Sequence, residues 1–166
     1  PSNLAIVAVD DVGIARVGAS KERIRRIKQL AASEKDGDRS LIENPRFREK
    51  LASLEVELKA LEMTQMRVVA AERTREKGKP DPASSILKIK GSEIQQAITE
   101  LALEVAGPYV APYRAEDEAH GWNEPPAGPD WASPLAPAYF NYRKVSIYGG
   151  SNEIQKNIIA KAILGL

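Results

Sequence analysis

Cysteine is absent from this chain, and histidine occurs once, as His120. No disulfide, thiolate nucleophile or cysteine–zinc site can form, and a lone histidine in a Pro/Gly-rich stretch reads as a solvated loop residue. No metal site is expected. An excess of charge of one sign is also missing: 24 Lys and Arg stand against 23 Asp and Glu, for a formal charge of +1. The two signs interleave, as on solvated helix faces, which argues against a nucleic-acid surface built on basic charge. Long apolar runs are missing too. "LAIVAV", Leu4 to Val9, falls short of the roughly 18 residues of a membrane span. No basic region precedes it, as one would in a signal peptide. A cytoplasmic chain with no membrane span is expected. The G-x-G-x-x-G, P-loop, H-E-x-x-H and G-x-S-x-G signatures do not occur.

What is present is helical periodicity. The 166 residues, 43% of them hydrophobic, suffice for one domain with a core. Because the first residue is Pro1 and not Met, the chain is expected to be a piece of a larger protein. A first helix is expected from about Gly13 to Ala32, with Ile14, Val17, Ile24, Ile27 and Leu30 inward. In the second, Phe47, Leu51, Leu54, Leu58, Leu61, Gln65 and Val68 repeat at four–three spacing, with Pro45 in the first turn. "KGKPDPAS" separates it from a third helix carrying Leu87, Gly91, Ile94, Ile98, Leu101 and Val105. Gly91 on that stripe suggests a close helix–helix approach. A fourth is expected from Asn152 to about Ile163, burying Ile154, Ile158, Ile159 and Ile163, with Asn152 and Gln155 at capping-box spacing. Between them, residues 107–144 form a Pro-rich segment punctuated by Tyr109, Tyr113, Trp122 and Trp131, expected to be a long loop packed on something. The fold class expected is all-α: an antiparallel four-helix bundle with a long Pro-rich loop before the C-terminal helix.

Chemistry is scarce along these helices. Gly149-Gly150 stands just before the last helix, whose first N–H groups lack intrahelical partners. Either the pair makes a plain turn and cap, or it lets a ligand lie against the backbone with the helix N-terminus facing it. Ser151 and Asn152 add donors. Thr64 and Gln65 beside the second stripe suit either register-fixing polar contacts or an interface. Glu116, Asp117 and Glu118 suit a solvated face, and Asp10-Asp11 a cap for the first helix.

"IYGGSNEIQKNIIAK", Ile147 to Lys161, resembles the C-terminal signature of the acyl-CoA dehydrogenase family, Tyr-x-Gly-Thr/Ser-x-x-Ile-Gln before an aliphatic helix. "ALEMTQMRVVAAE", Ala60 to Glu72, and Asp81 to Tyr113 are similar to the family's long middle helices. The resemblance runs from Gly13 to Leu166 and is nearest to bacterial enzymes related to the large subunit of pimeloyl-CoA dehydrogenase; residues 1–12 match poorly. It implies the C-terminal bundle of an FAD-dependent flavoprotein that dehydrogenates an acyl-CoA thioester between its α and β carbons, as in fatty acid β-oxidation. It implies acyl-CoA as substrate, an electron-transfer flavoprotein or similar acceptor, and a homo- or hetero-oligomer. By position, Tyr148, Gly149 and Gly150 line the thioester end. Ser151 and Glu153 fall where the family contacts FAD. Glu104 and Gly107 match a stretch that contacts a partner subunit's FAD, with Glu104 replacing a glutamine.

The departures bear on catalysis. Many members carry the catalytic Glu directly after the signature Tyr, where this chain has Gly149. Others place a Glu-Arg pair near the start of the first helix, which falls at Asp10-Asp11; the resemblance leaves Asp10, one methylene shorter, as the in-chain candidate for the base, and Asp11 cannot replace the arginine. The family's Arg-x-x-Phe-Gly is replaced by "SEKDGDRSLIENPRF". A non-catalytic bundle serving oligomerisation is therefore the alternative.

Overall fold

In a computed structural model, the described residues are 15–72, 82–112 and 128–165. Asp10 and Asp11, the expected helix start at Gly13, His120, Tyr113, Trp122 and the acidic run at 116–118 lie outside them. The described chain is an all-α bundle, as expected, with a single two-residue hairpin as its only sheet. Its helices are α1 (Val17–Ser33), α2 (Pro45–Glu72), α3 (Pro82–Ala106), α4 (Leu135–Tyr142) and α5 (Asn152–Ile159). The hairpin pairs Lys35–Asp36 with Arg39–Ser40 in the link between α1 and α2.

The long helices follow their apolar stripes. Val17, Ser20, Ile24, Ile27 and Ala31 are the buried residues of α1. Ala31 replaces the expected Leu30, which packs half-buried beside it. In α2, Phe47, Leu51, Leu54, Leu58, Leu61 and Val68 are buried, and half-buried Gln65 occupies the gap in the stripe. Thr64 donates back to the Ala60 carbonyl at 2.9 Å, a local bond. Asn44 caps α2, its side-chain oxygen accepting from the amides of Arg46 at 2.9 Å and Phe47 at 3.3 Å. Pro45 follows as the first helical residue, where no amide hydrogen is needed.

Helix α3 is central: it packs against α1, α2, α4 and α5. Leu87, Gly91, Ile94, Ile98, Leu101 and Val105 are all buried, as the spacing predicts, and Lys88, Ser92, Gln95 and Thr99 are buried with them.

Two expectations need correction. The segment 107–144 is not one loop among its described residues. Gly107–Val110 is a 3₁₀ turn, Leu135–Tyr142 is a fifth helix, and a second 3₁₀ turn spans Arg143–Ser146. Pro137 sits in the first turn of α4, where proline is tolerated, so the proline count hid the helix. The second correction is the inward face of α5. Ile154, Ile158 and Ile163 are 53, 41 and 56% exposed. The half-buried side carries Asn152, Gln155 and Ile159. This helix lies on a polar edge of α3, so among the described residues Ile154, Ile158 and Ile163 have no apolar surface that buries them.

Candidate functional site

The glycine pair is built by the elements on both sides of it. Helix α4 runs into the turn Arg143–Ser146, the chain bends through Ile147–Gly150, and α5 begins at Asn152. Gly149 has φ +67° and Gly150 +84°, a region that costs an L residue about 1–2 kcal/mol. Two consecutive left-handed residues make this turn specific to glycine. A Cβ on Gly150 would stand 2.6 Å from the Gln155 amide nitrogen, the movable end of a side chain, so backbone conformation is the stronger constraint. The N-cap of α5 is Ser151, not Asn152: its hydroxyl accepts from the Ile154 amide at 3.5 Å, a long bond. Gln155 reaches back to the Gly149 carbonyl at 3.4 Å.

What holds this turn is a row of side chains on α3 that the sequence reading passed over. Lys88, 3% exposed, donates to the Ser146 carbonyl at 3.0 Å and to the Asn152 side-chain oxygen at 2.8 Å. Ser92 donates to the Ile89 carbonyl at 2.7 Å and accepts from the Asn152 amide group at 3.2 Å. The Gln96 amide lies 3.3 Å from the Tyr142 carbonyl and 3.2 Å from that of Arg143, the open end of α4. Arg143 returns the contact: it pairs with Glu100 at 2.7 Å, donates to the Gln96 carbonyl at 3.0 Å and to Thr99 at 3.1 Å, and stacks 4.3 Å above the Tyr139 ring. Arg23 of α1 lies 4.4 Å above the Tyr142 ring and donates to its hydroxyl. The signal for this clamp was present: Lys88, Ser92, Gln96 and Thr99 recur at four, four and three, one position along from the apolar stripe.

Electrostatics at the turn follow from this placement. Burial pushes the Lys88 ammonium below its ordinary value, and the Glu153 carboxylate opposes that shift. Glu153 is held below the ordinary carboxylate range, first by the Ser151 hydroxyl, then by its own amide, with Lys156 and Lys88 adding attraction. Ser151 and Glu153 thus engage each other across the first turn of α5, where negative charge is favoured. Tyr148 is 57% exposed beside them.

Glu104 and Gly107 are not part of this cluster. They lie at the far end of α3, about 24 Å from Lys88 at 1.5 Å per residue. Glu104 pairs with Lys50 of α2 at 2.7 Å, and Gly107 opens the following turn at φ +54°. Asp10 lies outside the described residues. None of the described residues forms a cluster suited to a metal ion, and no described helix is long and apolar enough to cross a membrane.

The family described as "Acyl-CoA dehydrogenase, C-terminal domain" matches residues 11–164. No curated protein matches the chain by sequence. Among solved structures, a chain of the ChsE4-ChsE5 complex from Mycobacterium tuberculosis superposes with TM-score 0.66 at 23% identity, over 89% of this chain and 35% of that one. A structure described as an electron transferring flavoprotein of Acidaminococcus fermentans gives 0.66 at 18% identity, covering 93 and 36%. An FAD-dependent dehydrogenase gives 0.65 at 17% identity, covering 90 and 35%. The chain therefore spans about a third of the length of these structures, which share its fold. With the family matched over nearly its whole length, the chain belongs to the acyl-CoA dehydrogenase family through that C-terminal helical domain.

Proposed function

We propose, from that membership, that this chain supplies the helical wall of the active site in an FAD-dependent acyl-CoA dehydrogenase. The observation that carries the reading is the turn Tyr148-Gly149-Gly150, with two left-handed glycines beside an exposed tyrosine at the start of α5. Its residues fit the edge of a flat ring or a thioester. Gly149 and Gly150 present backbone without a side chain, Tyr148 presents an aromatic face, and Ser151 and Glu153 present hydroxyl and carboxylate acceptors. At the other end of α3, Lys50 beside Glu104 offsets the carboxylate's repulsion of a phosphate, and the Cβ position of Gly107 is open. Those two residues suit a partner subunit's FAD in a homo- or hetero-oligomer. FAD, when bound, supplies the acceptor for the β-hydrogen as hydride and would pass electrons to an electron-transfer flavoprotein or similar acceptor.

The chain's own task is to orient the acyl-CoA thioester along the turn and to place a base at its α-carbon. A base for so weak an acid needs a raised pKa. Glu153, exposed at the start of α5 and held below the ordinary carboxylate range, is poorly suited to that role. Asp10 remains the in-chain candidate. The purified full-length protein should show visible flavin absorption that bleaches when an acyl-CoA ester is added without an acceptor, and with an artificial electron acceptor present it should reduce that acceptor on turnover. A colourless protein inert to a panel of acyl chain lengths would overturn the reading. One observation favours the alternative, a non-catalytic bundle serving oligomerisation in a cytoplasmic complex: residues 143–156 carry one carboxylate, the exposed Glu153, and the usual place for the base is Gly149. Flavin bound without turnover would select it.

A further inference from the structure

We propose that Lys88 is a positioning residue: a buried ammonium that ties the chain before the glycine turn to the chain after it and so sets the turn's shape. Its two bonds fall on opposite sides of the turn, one to the Ser146 carbonyl and one to the Asn152 side chain. The five residues between those anchors include both glycines, which have no side chains of their own to hold them and the widest conformational freedom to lose. An anchor from outside the turn is therefore needed, and α3 provides it from a neighbouring rigid element. A lysine buried to this extent is unusual, because desolvating an ammonium is costly unless its protons are bonded. Packing alone would be met by Leu or Met. Charged donors make stronger bonds than neutral ones, so the ammonium fixes the span more firmly than a serine or amide would. Ser92 meets the same Asn152 amide, its hydroxyl 3.2 Å from the amide nitrogen and 3.3 Å from the oxygen.

The consequence for catalysis rests on the reading of the turn as the thioester and flavin wall: Lys88 would touch neither ligand and would act through the backbone at Tyr148–Gly150. Amide hydrogen exchange of residues 147–155 tests the pin without any ligand. Lys88→Met should raise exchange there by roughly ten- to a hundredfold, the scale of losing bonds to a charged group. Amides of α1 and α2 should stay at wild-type rates. A rise spread evenly over the bundle would show a merely structural lysine and overturn the proposal. Should Lys88→Met fail to fold, Asn152→Leu removes the same bond from the half-exposed side. It should raise local exchange about tenfold, while Asn152→Asp, which keeps an acceptor oxygen, should restore protection. Unchanged exchange in Asn152→Leu would also overturn it. In the flavin-loaded protein, Asn152→Leu should lower kcat more than it raises KM. Equal kcat with locally raised exchange would remove the functional part of the proposal. A wild-type protein lacking flavin would instead sink the underlying reading and leave the exchange result standing.

Discussion

The two sides of α3 behave differently. Its apolar side, Leu87, Ile94, Ile98, Leu101 and Val105, packs into the core with α1 and α2. The adjacent polar side, Lys88, Ser92, Gln96 and Thr99, is joined to the segment from α4 to α5 by directional bonds. Apolar burial is non-directional and tolerates small shifts. Hydrogen bonds require their partners within a few tenths of an ångström. One helix therefore performs two tasks: one side holds the bundle together, and the other fixes where a turn sits.

Truncating the apolar side should give the largest loss. Ile98, 2% exposed, lies mid-helix among core residues. Ile98→Ala should lower unfolding free energy by about 2–5 kcal/mol, from lost transfer energy plus the cavity. Chemical denaturation should show a lower midpoint with an unchanged slope. Amide exchange should rise across the whole bundle, with no excess at residues 147–155. A selective rise at the turn would contradict the division between the two sides.

Gln96→Leu attacks the polar side while keeping volume. It leaves the Tyr142 and Arg143 carbonyls without their α3 donor, for about 1–3 kcal/mol. The loss should concentrate in α4 and the following turn, and near-ultraviolet circular dichroism of Tyr139 and Tyr142 should report it. A loss below about 0.5 kcal/mol would mean that water replaces the glutamine freely.

Gly150→Val probes the turn itself. A β-branched residue at φ +84° is a true backbone outlier, costing about 1–2 kcal/mol. Under the proposed function it also blocks the cofactor edge, so flavin content should fall further than stability does. Full flavin content with full turnover would reduce the glycine pair to a plain turn.

The long helices were legible because their apolar residues recur at helical spacing and the structure buries nearly all of them: six expected positions in α2 and six in α3 are buried. The C-terminal motif was legible through its resemblance to a family signature, since the two glycines alone suit a plain turn as well as a ligand contact. The clamp was overlooked although its residues share a helical stripe, since polar residues beside an apolar face are usually solvated; only the fold shows α4 and α5 laid across them. The face of α5 was misjudged for a related reason. Periodicity states which isoleucines share a side, and it does not state whether this chain contains the surface that covers them. Ile154→Ser should accordingly change stability by less than about 0.5 kcal/mol, where a buried isoleucine would cost several times more.

The smallest expected effect separates the two charges at the turn. Glu153 is fully exposed, and its carboxyl is held below the ordinary value of 4.5, chiefly by Ser151. A depressed carboxylate makes its contribution in full above 4.5 and loses it as pH falls through the folded value, because the unfolded chain binds the proton first. Glu153→Gln should therefore flatten the acid limb of the stability curve, with wild type and variant converging at low pH. Added salt should shrink their difference at neutral pH, since an exposed charge is screened. Lys88 acts at the opposite limb. Its ammonium is lowered from 10.5 by burial, so the charged form is disfavoured in the fold, and stability should rise with pH in the window just below 10.5. Lys88→Met removes that rise and leaves the acid limb in place. If wild type instead lost stability with rising pH there and Glu153→Gln restored the rise, the attraction between the two groups would outweigh the burial of Lys88. The turn would then be governed by an ion pair, and the clamp's bonds would be secondary.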